Sequence, residues 1–540
     1  LANGLTLPIF VESVSVEGAG YLNFRFDRGA FTAQHLRTVM VGGAASFQLA
    51  EAFGGLKAHR STGERVIVEH TNINPNKAAH IGHLRNAVLG DTYVRCSKWL
   101  GDRVETQNYI DDTGVQVADV VVAFERLEKK SIADVERLIE TTARFDYLCW
   151  DLYSKMAQYY ADHPEAVEWR KETLHRIERQ EGETAKLAAI IARAIVHRHL
   201  QTMLRLGIQY DLLPKESDII HLHFWDRAFE LLKASGAVVL ESEGKAKGCW
   251  VMKLDEAEQF AGMNEPDKIL VRSNGTVTYT GKDIAYQLWK LGLLDRTFQY
   301  RKFSTYPDGH IVWETTHGDD GDASAPKFGG AKRVVNVIDS RQAYLQKVVK
   351  EGVRQLGHGA AAERSIHFSY EMVALTPATA KALGMELSVE DAERAYVEMS
   401  GRKGLGVKAD DLLDELERKA TDAVKSNAEL GEESAGEIGR QVAVAALRYF
   451  MLRYGRNKVI AFDFDEALRF EGDSGPYLQY STVRVQNIFR KMAERGVDPR
   501  TDERAVDDLT LNQGLTDEMW ELVRLSAELP GAIRRAVDSL

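Results

Sequence analysis

The sequence predicts an α/β protein built on a parallel sheet, with long helical additions. Three observations carry this. The apolar run Val66-Ile67-Val68 reads as a buried strand. Ile81, Leu84, Val88 and Leu89 then recur at helical spacing, up to a stop at Gly101-Asp102. Arg103 to Ile110 reads as the next strand. A strand, a helix and a strand in succession are the unit from which parallel sheets are made. At 540 residues the chain exceeds what one core supports, so several domains are expected.

Residues 1–60 read as a small separate domain. Gly20 to Phe26 alternates apolar and polar side chains, as a strand does, and Phe31 to Leu49 reads as a helix. A second block, 61–435, opens with the strand–helix–strand unit. Within it, 115–210 is rich in helix formers, with Leu187, Ile190, Ile191 and Ile195 at helical spacing; this is a helical insertion. From Asp218 the strand and helix pattern returns. Leu270 to Tyr279 carries an Asn274-Gly275 hairpin signal between two strands, and a helix follows from Lys282 to Leu291. The polar, Gly-rich run 301–330 reads as a mobile loop. Val334 to Ile338 is another buried strand and Gln342 to Leu356 another helix. The stretch 410–495 is mostly helical, and 436–540 forms an α-helical third block.

Composition sets bounds. Hydrophobic content of 44% and charged content of 28% are those of an ordinary soluble protein, and no apolar stretch is long enough to span a membrane. The net charge of -11 means that any nucleic acid must be met by local basic patches. Cys96, Cys149 and Cys249 lie far apart, which argues against disulfides and zinc, predicts no metal site and fits a reducing, cytoplasmic setting.

The candidate site centres on His80-Ile81-Gly82-His83 at the mouth of the first helix. Backbone N–H groups and the helix dipole there favour a phosphate, and Gly82 admits a flat ring close to the backbone. A nucleoside triphosphate suits such a place. The spacing is also that of a pair of metal ligands, but no nearby Cys or carboxylate pattern completes a metal site.

Further segments join this one into a constellation that resembles the arginyl-tRNA synthetases, a class I aminoacyl-tRNA synthetase family, over nearly the whole chain. Glu69, Asn74 and Lys77 precede the histidine tetrapeptide at the family's spacing. Asp112-Thr113-Gly114-Val115-Gln116, Tyr279-x-x-x-Asp283 and Ile338-Asp339-Ser340-Arg341-Gln342 resemble its substrate segments. Met399-Ser400-Gly401-Arg402-Lys403-Gly404 resembles the second class I signature loop, and Gly475-Pro476-Tyr477-Leu478-Gln479-Tyr480 the start of a core helix in its anticodon-binding domain.

The resemblance implies a Rossmann-type catalytic domain, a partial N-terminal tRNA-contacting domain and an all-α anticodon-binding domain, with both chain ends expected to be truncated. It implies ATP with Mg2+, L-arginine and tRNA(Arg) as partners, no membrane, and a monomer. Lys77, His80, Gly82 and His83, with Met399, Ser400, Arg402 and Lys403, would hold ATP. Glu69, Asn74, Tyr279, Asp283 and Gln342 would surround arginine, whose guanidinium a carboxylate can accept through two parallel hydrogen bonds. Asp283 equally fits a helix N-cap, and Tyr279 a strand aromatic. Tyr477, Gln479, Tyr480 and Arg484, with Arg448, Tyr449, Arg453, Tyr454 and Arg456, combine cations with stacking faces suited to RNA loops, or else pack inward in a bundle. One departure stands out: the signature loop begins with Glu398 where class I enzymes carry Lys, and Lys77 is the residue suited to restore part of that charge. Rival readings are another class I synthetase, and a catalytically dead tRNA-binding relative.

Overall fold

The structure is a computed structural model that describes residues 8–18, 20–42, 63–254, 257, 260, 267–397, 406–427, 432–497 and 515–540. They fall into two compact units. One comprises residues 1–63, 96–102 and 480–540. In it β1 (Val11–Glu17) pairs antiparallel with β2 (Tyr21–Phe26), ahead of helix Arg28–Gly42. Phe10, Phe26 and Phe31 meet edge to face or stacked, Trp520 of helix Asp517–Asp538 lies 5.2 Å from Phe31, and Arg28 pairs with Asp517 at 2.6 Å. The expected helix Phe31–Leu49 thus begins earlier, and its last residues lie outside those described.

The other unit comprises residues 64–95 and 103–479. Its strands are β3 (Arg65–Glu69), β4 (Arg103–Gln107), β5 (Leu212–Leu213), β6 (Val238–Leu240), β7 (Trp250–Met252), β8 (Lys268–Val271), β9 (Gln299–Thr305), β10 (Ile311–Thr316), β11 (Arg333–Asp339), β12 (Ser365–Tyr370), β13 (Val373–Leu375) and β14 (Ile460–Phe462). Seven of them form one sheet in the order β12-β11-β3-β4-β5-β10-β9, parallel throughout except for the β9–β10 pair. Val66, Ile67 and Val68 are fully buried, as a strand covered on both faces requires. From β3 the order runs one way to β4 and the other way to β11. In open α/β sheets a crevice opens at the carboxyl ends of the strands beside such a reversal.

Helix Ile81–Trp99 follows β3, and its Ile81, Leu84 and Val88 share a buried cluster with Ala443, Leu447 and Phe450 of helix Glu432–Arg453. The sequence division at 435/436 therefore falls inside this unit. Arg85, fully buried on the same helix, donates from Nη1 to the carbonyls of Glu371, Met372 and Lys458. Helices from Val115 to Arg205 build the expected insertion around their own core, which includes Phe124, Phe145, Met156 and Ile191.

Two expectations need correction. Run 301–330 holds strand in its first half, where β9 and β10 form a hairpin that turns at Asp308-Gly309 and buries Phe303, Val312 and Trp313, whereas 317–330 carries neither strand nor helix. Its polarity misleads because Glu314 is buried between Arg193 and Arg301, which neutralise it. The hairpin expected over 270–279 closes with one bridge, Val271 to Val277, and Tyr279 already opens helix Tyr279–Lys290.

Candidate active site

The chain leaves β3 through a constrained turn. Thr71 and Asn72 have φ of 79° and 45°, a left-handed region that a β-branched residue avoids. Neighbours hold them there. Thr71 N–H donates to Asn86 Oδ1 at 2.5 Å, and the Thr71 hydroxyl meets the Tyr210 hydroxyl at 2.6 Å. Asn72 N–H donates to Asn108 Oδ1 at 2.9 Å, while its amide group bonds Glu69 Oε1 and Tyr109 N–H. This network joins the carboxyl ends of β3 and β4 and fixes the direction in which the chain approaches the histidines.

His80 and His83 stack with ring centroids 3.6 Å apart. Gly82 N–H donates to His80 Nδ1, and His80 N–H to His83 Nδ1, each at 3.1 Å. With both Nδ1 atoms accepting, the single proton of each neutral ring sits on Nε2. Burial, reinforced by Lys77 and Arg341, lowers His80 to about 4; burial and His80 lower His83 well below the ordinary value. The pair therefore offers two neutral N–H donors at the mouth of a helix. A Cβ on Gly82 would come 3.0 Å from the His80 ring. The Lys77 carbonyl accepts from His199 Nε2 at 2.7 Å, and its ammonium lies 4.5 Å from the Tyr153 ring and 5.4 Å from Trp150.

Beyond the carboxyl end of β4 lies an excess of carboxylates. Glu216 is buried and accepts from Tyr109 and Thr113 at 2.9 Å and from Lys282 at 2.6 Å. Asp111 is raised well above the usual range by burial and then by Glu216 and Asp112, and its Oδ1 is buried without a hydrogen-bond partner. Asp283 is pushed up to about 7 by burial, then by Glu216 and Glu69, with Lys290 and Lys282 opposing. It sits inside its helix, whose N-cap is Thr278, so the capping alternative is excluded. Tyr279, half-exposed, lies over Lys282. Acid cannot be so concentrated around one ammonium without favouring a second cation.

The remaining candidates divide. Glu69 is buried and already paired, with Lys290 at 2.7 Å and Asn72 at 2.8 Å. Asn74 is partly buried at the turn, and Gln342 is exposed at the end of β11. Glu398, Met399, Ser400, Arg402 and Lys403 lie outside the described residues. Among the residues considered for RNA, Arg448 pairs with Asp91 at 2.6 Å, Arg453 and Tyr454 bind Glu466, and Arg456 bonds the Ser369 carbonyl, all structural roles. Gln479 bonds the Gln441 carbonyl at 3.2 Å, whereas Tyr477 and Tyr480 are exposed and Arg484 lies 5.8 Å from the Tyr480 ring. Sequence reading missed Glu216 and Asp111. Asp111 lies four residues past the end of β4 and Glu216 opens the short helix after β5, places that no local pattern marks as a site.

Comparison with known proteins agrees with this geometry. A family model described as tRNA synthetases class I (R), catalytic domain, matches residues 46–292. An arginine–tRNA ligase of Thermococcus sibiricus is 33% identical over 537 residues, covering 98% of this chain and 78% of that protein. One of Deinococcus radiodurans is 36% identical over 500 residues, 92% of this chain and 73% of that one. The solved Thermus thermophilus arginyl-tRNA synthetase superposes with a TM-score of 0.74 at 30% identity, covering 99% of this chain and 82% of that one.

Proposed function

Since the chain belongs to the arginyl-tRNA synthetase family, we propose that it activates L-arginine with ATP and passes it to the 3′-terminal ribose of tRNA(Arg). The observation that carries the reading is the pairing of two neutral imidazole donors with a carboxylate-rich pocket beside the same sheet reversal. The guanidinium sits among Asp283, Glu216 and Asp111, with Tyr279 at the rim. The arginine carboxylate attacks the α-phosphorus of ATP, forming arginyl-adenylate and releasing pyrophosphate. A ribose hydroxyl then attacks the adenylate carbonyl, and AMP leaves. Neither step needs a covalent enzyme intermediate; both need position and charge balance. His80 and His83 donate Nε2–H to phosphate oxygens, and Lys77 adds positive charge.

Mg2+ would arrive on the triphosphate, because imidazoles and ammoniums are not the oxygen ligands it requires. Residues 61–435 supply the chemistry, 1–60 and 436–540 the tRNA contacts, the latter through Tyr477, Gln479, Tyr480 and Arg484. The chain acts as a monomer in the cytoplasm, where its three free thiols would stay reduced. The test is aminoacylation of total tRNA with each of the twenty amino acids. Charging by arginine alone is expected. Charging by another amino acid, or by none, would refute it.

A further inference from the structure

Tyr147, Trp150 and Tyr153 follow one another three residues apart on helix Phe145–Asp162, which puts them on one face of the insertion. Two ammoniums rest on this ladder. Lys77 reaches Trp150 and Tyr153 from the turn before the histidines. Lys408 reaches Tyr147 at 4.6 Å and Trp150 at 5.8 Å from the other side of the sequence, and lies 3.8 Å from the exposed Asp151 carboxylate. The Tyr147 ring is itself fixed, by a 2.7 Å hydrogen bond to Asp411 and by the Arg144 guanidinium 5.1 Å away.

The backbone of Lys408 is tied to the histidine motif. His80 and Lys408 form an antiparallel bridge, and Ala409 N–H donates to the Ala79 carbonyl at 2.8 Å. A side chain anchored beside His80 can thus turn either to the aromatic ladder or to an anion held by the histidines. Ring faces and a solvated carboxylate hold an ammonium loosely compared with a polyphosphate, whose charge is concentrated on a few oxygens. The chain also carries Glu398 where a cation would serve pyrophosphate, so positive charge from elsewhere is called for.

We propose that Lys408 is a second ammonium for the β- and γ-phosphates of ATP, docked beside Lys77 on the Tyr147–Trp150–Tyr153 ladder and drawn from it when ATP binds. The proposal rests on the synthetase reading given above and adds a residue to its nucleotide site.

The test measures arginine-dependent ATP–pyrophosphate exchange, with total tRNA present, in the full chain and in Lys408→Ala and Lys408→Arg. The alanine variant should raise the KM for ATP and lower kcat, each by roughly tenfold, while the KM for arginine and the melting temperature stay put. The arginine variant should recover most of the loss. Alanine kinetics within about twofold of the parent, or equal rises in both KM values, overturn the proposal. A second readout is tryptophan emission during ATP titration without arginine. The change seen in the parent should vanish in Trp150→Phe and shrink in Lys408→Ala; an undiminished response in both also overturns it. An ATP-dependent emission change in a parent that catalyses no exchange would instead refute the synthetase reading and leave the lysine contact standing.

Discussion

Replacing Asp283 by Asn gives the sharpest check on the arginine pocket. In the empty site this carboxyl sits at about 7, so near neutral pH it is only partly ionised. A guanidinium binds the ionised form. The ionised fraction is about one in eleven at pH 6 and about ten in eleven at pH 8, so arginine affinity should rise roughly tenfold over that interval and level off above it. The sign is opposite for the empty fold. Relative to an unfolded value near 3.8, a raised carboxyl contributes no cost at low pH. The cost grows as pH climbs toward 7, to at most about 4 kcal/mol before solvent screening reduces it. Bound arginine offsets it. The assay is titration calorimetry with arginine alone, which keeps ATP's own titration out of the measurement. Asp112, held at about 6, and Asp111 titrate nearby, so the diagnostic is the difference between parent and variant. Asp283→Asn should bind arginine on the order of 100-fold more weakly and lose most of the pH dependence, because a buried cation is left short of one partner. An unchanged pH slope in the variant would remove Asp283 from the pocket.

His80→Ala and His83→Ala should each lower kcat by roughly 100-fold with a smaller change in KM, the mark of donors that act mainly in the transition state. Since His80 is held at about 4, parent kcat should show no histidine-like fall between pH 8 and 6; such a fall would mean that the ring titrates. Gly90→Ala should destabilise the fold by about 1–3 kcal/mol. A Cβ there would lie 2.3 Å from the buried His70 ring, and a denaturation midpoint equal to the parent's would contradict that packing.

Much of the architecture was legible because periodicity is a direct imprint of burial. β3, the helix after it and β11 were each found within one or two residues, since their apolar positions answer to a single sheet. The β9–β10 hairpin was misread because the charge of Glu314 is compensated by Arg301 across the hairpin and by Arg193, 121 residues upstream, pairings that the local sequence pattern does not record. The pocket shows the same limit. Tyr279 and Asp283 are candidates through family resemblance and His80 and His83 through their setting, but Glu216 and Asp111 become candidates only when folding gathers three acids around Lys282. Glu69 looks like an open anion in sequence and is closed by Lys290, 221 positions away. The RNA candidates separate for a related reason: the aromatic and basic residues of helices Glu432–Arg453 and Gly475–Glu494 look alike in sequence, and only their neighbours tell Arg448, locked to Asp91, from the exposed Tyr480.

The buried Arg85 guanidinium has a consequence for how this unit comes apart. One nitrogen is shared among three carbonyls that belong to segments 286, 287 and 373 positions along the chain from it. Loosening 371–372 or 458 takes acceptors away from a guanidinium in a dry interior, so fraying of either segment alone is disfavoured. Amide exchange at residues 371–372 and 458 should therefore slow in step with that of the helix bearing the histidines. A nucleotide gripped at one end of that helix would shield from proteases a stretch of chain it never touches.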